Sequence, residues 1–211
     1  AGAQQGQGRA RLRPLAFPGH HVSSFAAAVD GDGRRDIVVA MDWTDFDPDN
    51  QSTLALHLVT RHGRATPLLW LTVDKDELKD QRNDFEDLCL SRLKALLPEG
   101  VTATILADRG FGDVKLFAFL DSLGFHYVIR FRGNVHVSAA DGETRLAADW
   151  VGKGGRARKL RDAEISAARQ KVGAVVCVNG KEVARILCAA PAEGGQVAWG
   201  EAADGLQAGL I

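Results

Sequence analysis

The chain has 211 residues, of which 45% are hydrophobic and 25% are charged, and its formal net charge is −1 at pH 7. This composition is typical of a globular protein and excludes disorder as the default state, with a length that suits about one or two domains. The net charge does not indicate a nucleic-acid partner, although a local basic face can bind phosphates whatever the total charge is.

The cysteine content and the hydropathy pattern bear on the compartment. Cys89, Cys177 and Cys188 are odd in number and lack the C-x-x-C spacing of zinc and redox sites. No run approaches the roughly 18 apolar residues of a membrane helix, and the opening segment lacks the apolar region of a signal peptide. We therefore expect a reduced, cytoplasmic protein with no membrane partner.

The first regular elements are three strands. Residues 1–35 show no clear hydrophobic period apart from a short helix near Ser23 to Val29. We therefore assign no fold to this N-terminal segment. From Asp36 onward, the stretches DIVVAMDW, STLALHLVT and ATPLLWLTV predict strands. The turn-rich connections between them are short, which implies an antiparallel meander.

Two helices and two further strands follow. Apolar residues at three- and four-residue steps predict an amphipathic helix that Pro98 and Gly100 end; they are Phe85, Leu88, Cys89, Leu93, Leu96 and Leu97. The strand VTATILAD comes next, then a second helix that ends before Gly124, then the strand HYVIRF. This order resembles that of the ribonuclease H-like fold, an α/β fold with flanking helices and a mixed sheet in the strand order 3-2-1-4-5.

The hydrophobic pattern of the sequence changes after Arg132. Short alternating stretches, including GAVVCV and ARILCAA, predict an added β-rich region. The last residues are rich in Ala and Gly without a sustained period, which indicates a poorly packed tail. We therefore divide the chain into the N-terminal segment 1–35, a core 36–132, a β-rich insertion 133–188 and a tail 189–211.

The most informative residues are Asp42 and Asp108, each of which follows an apolar run that is typical of a buried strand. Both side chains are expected at the carboxyl edge of one sheet, where open α/β sheets place ligands. Paired carboxylates of this kind hold metal ions for phosphoryl chemistry. The alternative for each aspartate alone is a turn or helix cap, and for the nearby Asp45 and Asp113 we expect capping or solvation.

Several stretches together resemble one family: VAMDWTDF, VTRHGRATPLLW, KDQRNDFED, LADRGFGD and YVIRFRGN. In order and spacing they are similar to DDE transposases of bacterial insertion sequences, in the Insertion Sequence Four group, over roughly residues 35–178. The resemblance implies a ribonuclease H-like core interrupted by β-strands and a catalytic triad whose first two members are Asp42 and Asp108. It implies DNA transposition by hydrolysis and strand transfer, with these aspartates as ligands of two Mg²⁺ or Mn²⁺ ions. The implied partners are double-stranded DNA, as transposon ends and target, and a second copy in a synaptic complex.

The third acid of that family is a glutamate in a Y-x-x-R-x-x-x-E-x-x-x-x-x-x-K helix, and the sequence holds no such pattern. Glu182, Glu193 and Glu201 lack the accompanying Tyr, Arg and Lys. We therefore expect a C-terminally truncated, incomplete enzyme, with a frameshift near residue 179 as the suggested cause. The alternatives are an inactive remnant that binds DNA or acts as an inhibitor, and another ribonuclease H-like nuclease whose last acid lies elsewhere near Asp42.

Basic residues supply candidates for DNA contact, with a solvated face as the alternative. They are Arg130 and Arg132 just beyond a core strand, and Lys153, Arg156, Arg158, Lys159 and Arg161 in the run KGGRARKLR. Arg109, beside the second aspartate, could orient the carboxylate or touch a phosphate. Trp150 is a candidate for stacking on an unpaired base, with core packing as the alternative. We assign no metal to any of the six histidines.

Overall fold

The computed structural model of the chain describes residues 35–60, 65–179 and 184–189. The helix expected near Ser23 to Val29 and the tail 189–211 fall outside these residues, apart from Ala189. None of the helices in the described ranges is long and apolar enough to cross a membrane.

The described residues form one ten-stranded mixed sheet, in the order β3-β2-β1-β4-β5-β10-β9-β8-β6-β7. The strands are β1 Asp36–Phe46, β2 Gln51–Val59, β3 Ala65–Asp74, β4 Thr102–Ala107, β5 His126–Phe131, β6 His136–Ser138, β7 Thr144–Leu146, β8 Arg158–Ile165, β9 Gln170–Asn179 and β10 Ala184–Ala189. Two α-helices lie between the core strands, α1 Arg82–Leu96 and α2 Val114–Ser122.

The first five strands have the predicted order 3-2-1-4-5. Strands β1, β2 and β3 pair antiparallel, whereas β4 is parallel to both β1 and β5. A parallel pair needs a long crossover connection, and here β2, β3 and α1 supply the one from β1 to β4. The predicted α/β, ribonuclease H-like fold with flanking helices is confirmed.

The main core lies on the sheet face that α1 and α2 cover, which we call the helix face. Alternate residues of β1 and β4 point into it, and the buried residues of α1 and α2 pack against them. The ring of Phe117 in α2 stacks on that of Tyr127 in β5, with 5.3 Å between ring centroids. Helix α1 stops where Leu97 turns extended, directly before Pro98, because proline disfavours the helical conformation in the residue that precedes it.

A second, smaller set of buried side chains lies on the other side of the sheet, which we call the opposite face. The set consists of Ala40, Leu106, Val128 and Ala174, which are 0–4% exposed. Cross-strand register aligns them in one row through β1, β4, β5, β10 and β9. They lie outside the main hydrophobic cluster of the described residues.

Strands β6 to β10 continue the core sheet, because β10 pairs antiparallel with both β5 and β9. Trp150, which follows β7, is 0% exposed and belongs to the main hydrophobic cluster. Its Nε1 donates a hydrogen bond to the carbonyl of Val137 at 3.0 Å. The guanidinium carbons of Arg145 and Arg158 lie 4.9 and 4.8 Å from the ring centroid. The ring has no exposed surface to offer a base, so of the two interpretations of Trp150, stacking on DNA and core packing, the structure supports core packing.

Truncation of Trp150 should therefore destabilise the fold strongly. We expect Trp150→Ala to lower the free energy of unfolding by about 3–5 kcal/mol, because it opens a cavity and leaves the Val137 carbonyl without its donor. Urea denaturation followed by circular dichroism measures this loss. The matched control is Trp70→Ala, since Trp70 is 40% exposed; it should cost less than about 1 kcal/mol. Equal losses in the two variants would contradict the core assignment.

Candidate functional site

Asp42 and Asp108 lie side by side at the carboxyl edge of two parallel strands. Met41 of β1 is in register with Ala107 of β4, and each aspartate is the next residue along its strand direction. Neighbouring strands are about 4.8 Å apart, so the two residues occupy the same level of the sheet. Both are half-buried. The arrangement is the one that the predicted strand order requires.

Asp108 also caps the turn that follows it. Its Oδ1 accepts a hydrogen bond from the Gly110 N–H at 2.7 Å, which opens a short 3-10 turn that the buried Phe111 anchors. A Cβ added at Gly112 would lie 3.2 Å from the Arg130 carbonyl, so this turn sits tightly against β5. The capping role thus uses one carboxylate oxygen. Among the described residues, no hydrogen bond engages the other oxygen of Asp108.

The electrostatics of Asp42 reflect its neighbours. Burial raises the pKa of the Asp42 carboxyl above its usual range, and a hydrogen bond from the Trp43 backbone N–H opposes this rise. The negative charge of Asp108 raises the pKa further, and His57 lowers it. The two carboxylates are therefore close enough to repel each other, and a cation between them would relieve that repulsion.

A third ligand does not join this pair within the described residues. No group of three or more His, Cys, Asp or Glu side chains there could hold a metal ion. One alternative from the sequence is another ribonuclease H-like nuclease, whose last acid would lie near Asp42. The described part of the chain gives this alternative no support. Glu182, Glu193 and Glu201 lie outside it.

Asp45 and Asp113 have the local roles expected for them. Asp45 accepts a hydrogen bond from Ser52 Oγ at 2.7 Å and lies 3.6 Å from Lys75 Nζ. Asp113 caps α2 by accepting from the Lys115 N–H at 3.0 Å. Its other carboxylate oxygen accepts from Asn83 Nδ2 at 3.0 Å.

His57 is a neighbour of the pair that sequence reasoning missed. Ala55 of β2 is directly opposite Asp42, and His57 is directly opposite Ala40. All four residues thus share the opposite face, since residues aligned across strands point the same way. The alternation in STLALHLV contained this signal, because Leu54, Leu56 and Leu58 fill the buried positions and His57 falls between them.

Glu86 is the second missed residue. It lies on α1, is 5% exposed, and accepts a hydrogen bond from Trp43 Nε1 at 2.9 Å. Burial raises the pKa of Glu86 to about 7, opposed by the Trp43 hydrogen bond and by the charge of Arg82. The signal was its spacing, since Glu86 stands three and seven residues before Cys89 and Leu93 and so falls on the buried stripe of α1.

Arg130 lies at the same level of the sheet as the two aspartates. Ala107 of β4 is in register with Ile129 of β5, so Arg130 is the next residue on the third parallel strand, as Asp108 is on the second. Arg130 therefore lies within β5 rather than beyond it, which corrects the expectation from the sequence. The backbone positions of Arg130 and Asp42 are two strand spacings apart, roughly 10 Å across the sheet.

Two cations of the basic run share the face of Asp42. Register through β10 and β9 aligns Arg130 with Lys159 and Val128 with Arg161. We refer to Arg130, Lys159 and Arg161 as the basic row. Arg158 points to the other side of the sheet, where it lies over Trp150.

The remaining basic candidates are outside this row. Arg109 is exposed in the turn after Asp108, and Arg132 is exposed just past β5. Lys153 and Arg156 are exposed in the segment that precedes β8. Register does not link these last two to the aspartates.

The raised pKa of Glu86 predicts a pH-dependent stability. Folding raises the pKa from 4.5 to about 7, so the folded protein holds this proton more tightly than the unfolded chain does. Stability should therefore fall as the pH rises from about 4.5 to about 7, by on the order of 3 kcal/mol. Glu86→Gln removes this contribution, so its unfolding free energy relative to wild type should rise across the same window. Urea unfolding at several pH values measures the difference, and a difference that is constant with pH would refute the assignment.

Two solved structures show weak similarity to the chain. The structure of Marinitoga piezophila Argonaute in complex with 5′ OH guide RNA matches with 11% sequence identity and a TM-score of 0.27, over 75% of this chain and 23% of that chain. The structure of the same Argonaute with guide RNA and target DNA matches with 11% identity and a TM-score of 0.27, over 83% of this chain and 26% of that chain. The chain thus spans about a quarter of the length of these structures. No curated protein matches it.

A family match covers most of the described residues. The sequence model of the family described as Transposase DDE domain matches residues 33–174, which include both aspartates and strands β1 to β8. DDE transposases generally use divalent metal ions. Since the match spans more than half of the 211 residues, the chain belongs to the transposase DDE domain family.

Proposed function

We propose that this chain is the catalytic region of an insertion-sequence transposase of the Insertion Sequence Four type, and that Asp42 and Asp108 carry its chemistry. The reaction would be metal-dependent hydrolysis of a phosphodiester at the transposon end, followed by strand transfer into target DNA. The observation that supports this best is the register between β1 and β4, which sets the two carboxylates side by side.

The donor set of the pair suits Mg²⁺ or Mn²⁺. Hard divalent ions prefer carboxylate oxygens, and both aspartates are half-buried with their charges in mutual repulsion. Asp42 and Asp108 would hold the ions, of which two are expected in a complete site. Bound metal would polarise the phosphate and activate the attacking water or hydroxyl. The part of the protein is to fix the two carboxylates at one level of a rigid sheet.

The basic row would hold the DNA backbone beside the carboxylates. Arg130 stands at the level of the aspartates, and Lys159 lies on the same face three strands further on. Cations in this arrangement can neutralise successive phosphates of a duplex. Arg109, next to Asp108, would contact the phosphate under attack. Arg132, Lys153 and Arg156 would extend the contacts to double-stranded transposon ends and target, and a second copy would complete the synaptic complex.

A catalytically inactive DNA-binding remnant, which would act at most as an inhibitor, is the second candidate function. The observation in its favour is that no third acid joins Asp42 and Asp108 among residues 35–60, 65–179 and 184–189. Two carboxylates hold a divalent ion less firmly than three, because each ligand that is missing is replaced by exchangeable water. The basic row would then act without cleavage.

Removal of either aspartate should abolish strand cleavage. With labelled terminal-repeat DNA and Mg²⁺ or Mn²⁺, we expect Asp42→Asn and Asp108→Asn to lower the cleavage rate by about 100-fold or more, since even outer-shell changes at metal sites cost 10- to 100-fold. Asp45→Asn is the control, because Asp45 is engaged by Ser52 and Lys75; it should stay within a few-fold of wild type. Cleavage that persists in Asp42→Asn would exclude the proposed role. No cleavage by wild type, with retained DNA binding, would favour the inactive remnant.

The basic row should dominate the salt dependence of DNA binding. We expect Lys159→Ala and Arg161→Ala each to reduce the slope of log Kobs against log salt concentration by about 0.9, as the loss of one phosphate contact does. Lys115→Ala is the matched control, since Lys115 is exposed on α2, on the helix face of the sheet. Fluorescence anisotropy with a labelled duplex at several salt concentrations measures the slopes. Equal slopes for Lys159→Ala and Lys115→Ala would show that the DNA lies elsewhere.

A further inference from the structure

The carboxylate of Glu86 is buried without an obvious structural need. Ser52 and Glu86 are the two buried polar or charged side chains among the described residues. Burial of a carboxylate is unfavourable unless hydrogen bonds compensate it, and at this position of α1 a leucine would extend the core. The contacts of Glu86 therefore indicate what the carboxylate does.

Those contacts converge on one ring. Glu86 accepts the hydrogen bond of the Trp43 indole N–H at 2.9 Å. Arg82, one turn earlier on α1, lies over the same ring with 5.0 Å between its guanidinium carbon and the ring centroid. The indole is thus held at its edge by the carboxyl group of Glu86 and at its face by the guanidinium of Arg82, both from α1. The negative charges of Asp87 and Asp113 add to the rise in the pKa of Glu86.

Trp43 is also the residue that follows Asp42 in β1. The two residues therefore share one peptide unit. Adjacent residues of a strand point to opposite faces, so Trp43 faces α1 while Asp42 faces the opposite side, where Asp108 and His57 act on it. A displacement of the indole that carried the Trp43 Cα with it would therefore also shift the adjoining Asp42.

We propose that Glu86 is a positioning residue for divalent-metal binding, which fixes the Asp42 carboxylate through its hydrogen bond to Trp43. This inference rests on the proposed function, in that Asp42 must be a metal ligand. Glu86 itself touches no metal; it sets the position of the peptide unit between Asp42 and Trp43. Outer-shell partners of this kind commonly tune metal affinity about 10- to 100-fold.

The test measures Mn²⁺ binding to the full chain by electron paramagnetic resonance of free Mn²⁺, without DNA or turnover. Trp43→Phe removes the indole donor and keeps an aromatic ring, whereas Glu86→Leu removes the acceptor. We expect each to weaken Mn²⁺ binding about 10-fold. Glu86→Gln keeps an acceptor oxygen and should bind within about two-fold of wild type. The double variant Trp43→Phe/Glu86→Leu should be no weaker than the single variants, because both lose the same hydrogen bond.

A control separates positioning from general destabilisation. Leu93→Ala opens a cavity under the same helix, at a fully buried position seven residues from Glu86. It should lower the melting temperature at least as much as Trp43→Phe does and leave Mn²⁺ affinity unchanged. Circular dichroism confirms that each variant is folded at the assay temperature.

The outcomes distinguish the two proposals. If Asp42→Asn weakens Mn²⁺ binding but Trp43→Phe and Glu86→Leu do not, the positioning role is wrong and the metal site stands. Weakening in Leu93→Ala as large as in Glu86→Leu would also overturn the positioning role. If Asp42→Asn leaves Mn²⁺ binding unchanged, the metal-binding role of Asp42 is wrong, and the positioning role falls with it.

Discussion

The parallel register between β1 and β4 is the constraint on which the candidate site depends. Two carboxylates from distant parts of the sequence meet only because Met41 aligns with Ala107. A slip by one residue would turn Asp42 towards the helix face, since strand side chains alternate with a period of two. The buried alternation of β1 and β4 opposes this slip, because it would place apolar side chains on the wrong face. The hydrophobic core therefore determines the geometry of the polar site.

The elements of the core could be predicted because their signals are local, and the adjacency of Asp42 and Asp108 followed from the likeness of the element order to that of the ribonuclease H-like fold. Period-two and period-3.6 patterns mark β1 to β5, α1 and α2, and short connections constrain their order. His57 and Glu86 could not be assigned, because their importance depends on which residues lie opposite them in space. The choice between stacking and core packing for Trp150 could not be made from the sequence for the same reason: its burial depends on how β6, β8 and β9 pair.

The basic run shows how a sheet sorts charges that composition cannot resolve. Arg158 and Lys159 are neighbours in sequence, yet Arg158 covers Trp150 and Lys159 lies on the face of Asp42. Alternation along β8 makes this separation, and pairing through β9 and β10 aligns Lys159 with Arg130. A net charge of −1 for the whole chain is thus compatible with the basic row beside two carboxylates. Only the register between the strands decides which cations belong to the basic row.

One peptide unit joins the two faces of the sheet at the site. Asp42 points to the face that carries His57 and Arg130, and Trp43 points to α1, where Glu86 and Arg82 hold it. Because α1 is packed by buried side chains, it is a rigid support for that ring. If the acceptor of the Trp43 hydrogen bond lay on a mobile loop instead of α1, the indole would be held less firmly in one rotamer. The fold thus places a carboxyl group inside its core, in contact with the side chain of the residue that follows Asp42.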